Sequence, residues 1–160
     1  MSDAGLMPAI SIRQPWAWAI LHLPHPEAKD CENRSWPIPG KYFGRPVLIH
    51  AGKQFDHVGA WDTIEMTSGH RPPPKSALIR GALLGAVIFT DCVTEHGSEW
   101  FYGRYGWIIG PRTAFSLPAD CKGRLGFWTP PEQLHLTTAD YCAAHELVEP
   151  PLAPVVDLGS

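Results

Sequence analysis

Cysteine is scarce in this 160-residue chain, and Cys31, Cys92, Cys121 and Cys142 form no C-x-x-C pair. That spacing excludes a zinc ribbon and a dithiol redox motif, leaving reduced and mostly buried thiols as the expectation. Of the eight histidines only His22 and His25 lie close together, beside prolines. We therefore expect no metal and no cofactor. Long apolar runs are also missing: nothing approaches the roughly 18 residues that cross a bilayer. The N-terminal MSDAGLMPAISIRQPW has neither a basic nor an apolar leader segment. A cytoplasmic protein with no membrane partner is expected. Charge is sparse, at 18% of residues against 44% hydrophobic, which describes globular material rather than a disordered chain.

An excess of positive charge is absent too. The net charge is −3, whereas phosphate binding needs Lys and Arg. The distribution matters more than the sum. From Glu132 onward there are five acids (Glu132, Asp140, Glu146, Glu149, Asp157) and no Lys or Arg. The first 131 residues therefore hold all 13 basic residues against 16 − 5 = 11 acids, a balance of +2. The chain reads as one domain over residues 1–131 with an acidic extension over 132–160, a short helix followed by a Pro-rich tail.

What is present is periodic. PAISIRQPWAWAILHL reads as a strand feeding a helix: Ile10 and Ile12 alternate with Ala9, Ser11 and Arg13. Pro15 suits a first helical position, and LPHPE ends the helix. RPVLIHAG is a strand covered on both faces, and QFDHVGAWDTIEM has helical spacing. SGHRPPPKSA is a loop with a stiff connector. GALLGAVIFTDCVTEH is a long strand, with Gly85 placed for a bend or bulge. YGWII, TAFSL and LGFWT follow as further strands, and TTADYCAAHE as a short helix. The fold class is α+β: a small β-barrel of about six strands with two or three flanking helices.

The densest charge lies in EAKDCENRSW, residues 27–36, where a lysine, three acids and an arginine fall within eight positions. On a strand, Glu32, Arg34 and Trp36 share one face. Lys29 falls on the other face unless it precedes the strand, in the turn after PHPE, where we expect it. ISIRQPWAWAI, AKDCENRSW, PVLIHAGK, GALLGAVIFTDCV, YGWII and KGRLGFW, in that order, resemble the ASCH domain family, a branch of the PUA-like superfamily. Its signature, Gly-x-Lys-x-x-Glu-x-Arg, is met by Lys29, Glu32 and Arg34, with Glu27 in place of the glycine. The resemblance covers roughly residues 8–129 in pieces. It implies a PUA-like barrel with a cleft between the barrel and its helices, suited to RNA, single-stranded nucleic acid or a modified nucleoside. Some relatives are hydrolases of acetylated cytidine that use a lysine, a threonine three positions later and a separate glutamate. Here Glu32 stands at the threonine position, which removes the equivalent nucleophile.

Two readings of the charges stay open. Glu32 and Arg34 either brace the barrel end or aim donors at a base or phosphate. For the second reading the candidate ligand-binding residues are Ser11, Arg13, Gln14, Trp16, Lys29, Glu32, Arg34, Trp36, Arg104, Tyr105 and Trp107. The free N–H groups at the start of the first helix would add an anion site. Trp61 and Trp128 sit on apolar faces, whereas Trp16, Trp36 and Trp107 lie beside polar motifs, where a ring can stack on a base. Of those three we expect one or two to line the cleft. His50 ends a buried strand and reads as a satisfied core histidine. The leading expectation is a nucleic-acid-binding module. The alternative is a small hydrolase of modified nucleosides or RNA, with Lys29 as base and Glu32 as its acid–base partner. A further expectation is that the acidic tail folds back over the cleft.

Overall fold

Six strands and three helices carry the fold in the computed structural model, which describes residues 5–147. The Pro-rich tail, and with it the expectation that it covers the cleft, lies outside the described residues. In chain order the elements are β1 (Ala9–Gln14), α1 (Trp16–Leu21), β2 (Cys31–Arg34), β3 (Pro46–Phe55), α2 (Gly59–Ser68), β4 (Ala82–Val93), β5 (Tyr105–Asp120), β6 (Phe127–Trp128) and α3 (Thr138–His145). The class is α+β, with one six-stranded mixed sheet in the order β2-β5-β4-β3-β1-β6. β1 and β3 run parallel, and every other neighbouring pair is antiparallel.

The middle strands of the sheet are buried on both faces. In β3, Val47, Ile49 and Ala51 point into one apolar cluster with Ile10, Ile12, Phe89 and Trp107. Leu48 points into a second cluster with Met7, Leu83, Phe115 and Leu136. The first cluster fills the barrel and is capped by Ile20 and Leu21 of α1. Gly85 is where β4 bends: the register against β5 shifts between Leu83 and Gly85, and a Cβ there would meet the Thr113 carbonyl and the Leu21 methyls. The two edge strands approach through side chains. Phe127 of β6 stacks on Trp107 at 5.6 Å and meets Trp36 edge-on at 6.0 Å. The outcome is a barrel-like domain whose seam lies between β2 and the β1–β6 edge.

Three segments differ from the sequence expectation. YGWII and TAFSL are one strand, β5, because Pro111 falls where the register with β4 shifts; a proline lacking its N–H is tolerated at such a point. α2 starts at Gly59 because β3 continues to Phe55, which pairs with Gln14. The helical spacing of Phe55, Val58 and Trp61 thus spans a strand end, an exposed N-cap and a helix. Pro15 occupies the N-cap of α1 rather than its first turn.

Residues 131–147 are built into the body. Gln133 is fully buried and bonds both the amide and the carbonyl of Met7. Asp140 pins α3 to β5. Burial alone would raise its carboxyl pKa, but hydrogen bonds from the Ser116 and Leu117 amides, with the Ser116 and Thr137 hydroxyls, hold it below the usual range. No helix among the described residues is long and apolar enough to cross a membrane.

Trp107 is the keystone of the interior, touching Trp36, Phe89 and Phe127 from three directions. Trp107→Ala should cost about 3–5 kcal/mol of unfolding free energy, read as a lower denaturant midpoint by tryptophan-independent circular dichroism.

Candidate functional site

The backbone around residue 29 fixes the site before any side chain does. The Lys29 amide donates to the Ala19 carbonyl at the end of α1, 3.0 Å. Its own carbonyl accepts from Arg112 Nη1, 2.7 Å. Lys29 therefore lies just ahead of β2, wedged between α1 and β5, and is only 3% exposed. Lysine is seldom buried unless paired. Here Nζ donates to the Cys31 carbonyl and lies 5.6 Å from the Trp16 ring centroid. Trp16 is held in turn by Asp56, which accepts from its Nε1 at 2.6 Å.

β2 then presents Glu32 and Arg34 toward the seam. Arg34 Nη2 donates to the Ser11 carbonyl at 2.8 Å, and its guanidinium lies 5.6 Å from the Trp107 centroid. β6 pairs with β1 only at Ala9 and Ile10, so Arg34 satisfies a backbone oxygen at the open part of the edge. Glu32 Oε1 stands 3.9 Å from Arg34 Nε, near enough for attraction but too far for a hydrogen bond. Glu32 is 8% exposed, and its Oε2 is buried without any hydrogen-bond partner.

These groups form one wall of a cavity of about 560 Å³. Ser11, Arg13, Trp16, Lys29, Glu32 and Arg34 all line it. No family model matches the chain, and no curated protein matches it. The geometry must therefore carry the reading.

Five of the sequence-selected residues lie elsewhere. Gln14 is buried and committed at both ends: its Oε1 accepts from the Trp18 amide and its Nε2 donates to the Ile79 carbonyl. The same bond takes up one of the N–H groups expected to be free at the start of α1. Trp107 is fully buried core, with Nε1 donating to the Trp36 carbonyl. Trp36 packs edge-on against Trp107 and Phe127. Arg104 is exposed over the Tyr105 ring, and Tyr105 packs on the barrel cluster rather than on the cavity wall. Polar neighbours along the chain suggested a rim for these residues. Cross-strand packing of β5 carries Tyr105 and Trp107 onto the barrel cluster, and Trp36 packs on Trp107. Gln14 serves backbone groups, and Arg104 stays exposed outside the wall.

Two aromatics on the wall were not anticipated, Trp100 and Tyr102. Asn33 brings them there, donating to the Trp100 carbonyl at 2.8 Å and accepting from the Tyr102 amide at 3.0 Å. Asn33 was the available signal: a side-chain amide amid charges on an edge strand has loop backbone as a ready partner.

Behind Ser11 lies a buried relay. Its Oγ is 2.8 Å from His50 Nδ1, and His50 Nε2 is 2.6 Å from the Cys121 carbonyl. A carbonyl only accepts, so Nε2 carries the proton and the serine donates to Nδ1. Gly123 lies over this pair: a Cβ there would come within 2.7 Å of His50 Cε1 and 3.0 Å of Ser11 Oγ. The close approach at Gly123 and the bond to the Cys121 carbonyl hold the loop after β5 against this pair. Burial lowers the His50 pKa, outweighing the Cys121 bond that raises it. The unfolded chain then binds a proton that the folded one refuses. This contribution to stability is complete above the ordinary imidazole pKa of about 6.5 and shrinks as pH falls below it. Denaturant midpoints should drop between pH 7.5 and pH 5.5, and His50→Gln should flatten that drop while lowering stability at pH 7.5.

Proposed function

We propose that the cavity binds single-stranded RNA or a nucleotide-like ligand by the polar edge of a base, as the resemblance to ASCH domains implies. The observation that carries this reading is Glu32: a buried carboxylate oxygen without a partner, on the wall of an open cavity. An unmatched buried acceptor costs about 1–3 kcal/mol, and more when it is charged. A ligand N–H would remove that cost. Lys29 has two donors left after the Cys31 carbonyl, so a flat edge carrying a donor beside an acceptor meets both groups. Trp16 and Trp100 offer rings for stacking, each worth about 1–3 kcal/mol per base. Arg13 is exposed at the rim for a phosphate.

Hydrolysis is the second reading, and we rank it lower. The hydroxyl used by the acetylcytidine hydrolases is replaced by Glu32, and Lys29 Nζ is tied to the Cys31 carbonyl. Its assay is turnover of acetylated cytidine by the wild type and Lys29→Ala, where equal background rates dispose of it. We assign the chain to the cytoplasm, where the four free thiols stay reduced.

Binding is tested by titrating labelled single-stranded RNA at two salt concentrations. Glu32→Gln gives the sharper result, because it replaces a buried carboxylate whose Oε2 has no hydrogen-bond partner and also removes the ligand's acceptor. The variant should unfold at a higher denaturant concentration than the wild type yet bind RNA at least tenfold more weakly, the equivalent of about 1.4 kcal/mol. Unchanged binding by this variant would remove the basis of the reading.

A further inference from the structure

We propose that a cation–aromatic strip running from the cavity rim is a second binding site, one that takes the sugar–phosphate backbone of a single-stranded RNA whose base occupies the cavity. The proposal rests on the base-binding reading above and goes beyond it by making the ligand a polymer rather than a free nucleoside.

The strip is assembled from four separate stretches of chain. Phe55 ends β3, Trp61 lies in α2, Lys75 opens a 3₁₀ turn (Lys75–Ala77), and Arg80 precedes β4. Arg80 Cζ lies 4.3 Å from the Phe55 centroid, and its Nη1 donates to the Lys53 carbonyl at 2.5 Å. Lys75 Nζ lies 5.3 Å from Phe55 and 5.9 Å from Trp61. The Pro-rich loop sets this geometry: Trp61 Nε1 donates to the Pro73 carbonyl, 2.8 Å, fixing the chain two residues before Lys75.

Three observations separate this strip from ordinary solvated charge. First, Lys53, Lys75 and Arg80 are exposed, and none forms an ion pair among the described residues. None of the neighbouring acids pairs with a strip cation: Asp56 accepts from Trp16 Nε1 and the His57 amide, and Asp62 and Glu65 both pair with Arg71. Second, Lys75 and Arg80 rest on rings, which holds their stems in place and lessens the entropy lost when a phosphate binds. Third, the strip is continuous with the site. Lys53 itself lines the cavity, and Phe55 and Trp61 pack in one cluster with Trp16 on the cavity wall.

A single strand follows from the geometry of the cavity. Glu32 and Lys29 are more than nine-tenths buried, so only an unpaired base turned out of its stack reaches them. The chain that carries this base must leave across the rim, and the strip is where unpaired cations lie beside that rim. A groove of positive charge flanking a stacking site is the usual physical solution for single strands.

The test uses a fluorescein-labelled octaribonucleotide of mixed sequence, the four ribonucleoside monophosphates, and the double variant Lys75→Gln/Arg80→Gln. For the octamer, the variant should bind more weakly, and the slope of log K against log salt should shrink by about 1.4, from two lost phosphate contacts at about 0.7 each. Monophosphate binding should stay at the wild-type level. An octamer slope unchanged in the variant overturns the strip and leaves the cavity reading standing. So does wild-type protein that binds monophosphates as well as the octamer. Failure of the wild type to bind either ligand overturns both readings together. Vesicles containing phosphatidylserine, or heparin, that bind as tightly as the octamer and ignore Glu32→Gln would make the strip a general polyanion patch and overturn the proposal.

Discussion

The guanidinium of Arg34 joins two strands that do not pair through their backbones. It reaches from β2 across the seam to the Ser11 carbonyl of β1, over the face of Trp107. Beyond Ile10 the edge of β1 has lost β6 as a partner, so this one bond satisfies a carbonyl that closure of the barrel would otherwise strand. Bracing the barrel and building a site appeared as alternatives for the Glu32–Arg34 pair. Under the proposed base-binding reading they are one arrangement. The brace leaves Glu32 within attraction of Arg34 but outside hydrogen-bonding distance, and Oε2 stays without a hydrogen-bond partner on the cavity wall.

A seam closed by side chains has a structural consequence. Backbone pairing would have brought β2 and β1 to within about 5 Å along their length. A side-chain clasp holds them further apart, and the cavity opens beside it, lined also by β3, α2 and the loop before β5. Its floor is the packed interior, with Trp107 directly beneath Arg34, and its sides come from segments that are tied down individually. Asp56 fixes Trp16, Asn33 fixes the Trp100–Tyr102 loop, and His50 fixes Ser11. Each of these wall residues is thereby held in place by the fold itself, and for the proposed binding such preorganisation would lower the cost.

How far the sequence discloses this depends on which contacts are local. Alternation in ISIRQ and the apolar run in RPVLIHAG report burial of β1 and β3, since period two along one strand is a local property. The position of Lys29 ahead of β2 is likewise readable, because the same period would otherwise have put it on the wrong face. Trp107 shows the limit. YGRYGW has polar neighbours along the chain, yet β5 pairs residue 107 with Glu32 on one side and Cys92 on the other, which carries the ring into the core. Gln14 deceives in the same way: a polar residue at a strand–helix junction serves its own backbone as readily as a ligand. Trp100 and Tyr102 sit in a loop with no period at all, and only the Asn33 amide ties them to the site.

The buried lysine and the buried carboxylate raise the question of why they do not neutralise each other. They form no ion pair within 4 Å, although three residues apart in sequence. The backbone of Lys29 is anchored to α1 and β5 through its amide and carbonyl, and Nζ is held by the Cys31 carbonyl, so turning the ammonium toward Glu32 costs that last bond. Glu32 is fixed by its strand. The fold thus keeps two opposite charges apart in a low-dielectric wall, where each is worth more than in water. A simple cation would satisfy Glu32 and repel Lys29, and a simple anion would do the reverse. A neutral group with donor and acceptor side by side would meet both without adding a charge of its own, and under the base-binding proposal this separation is what would favour a flat polar edge over a simple ion.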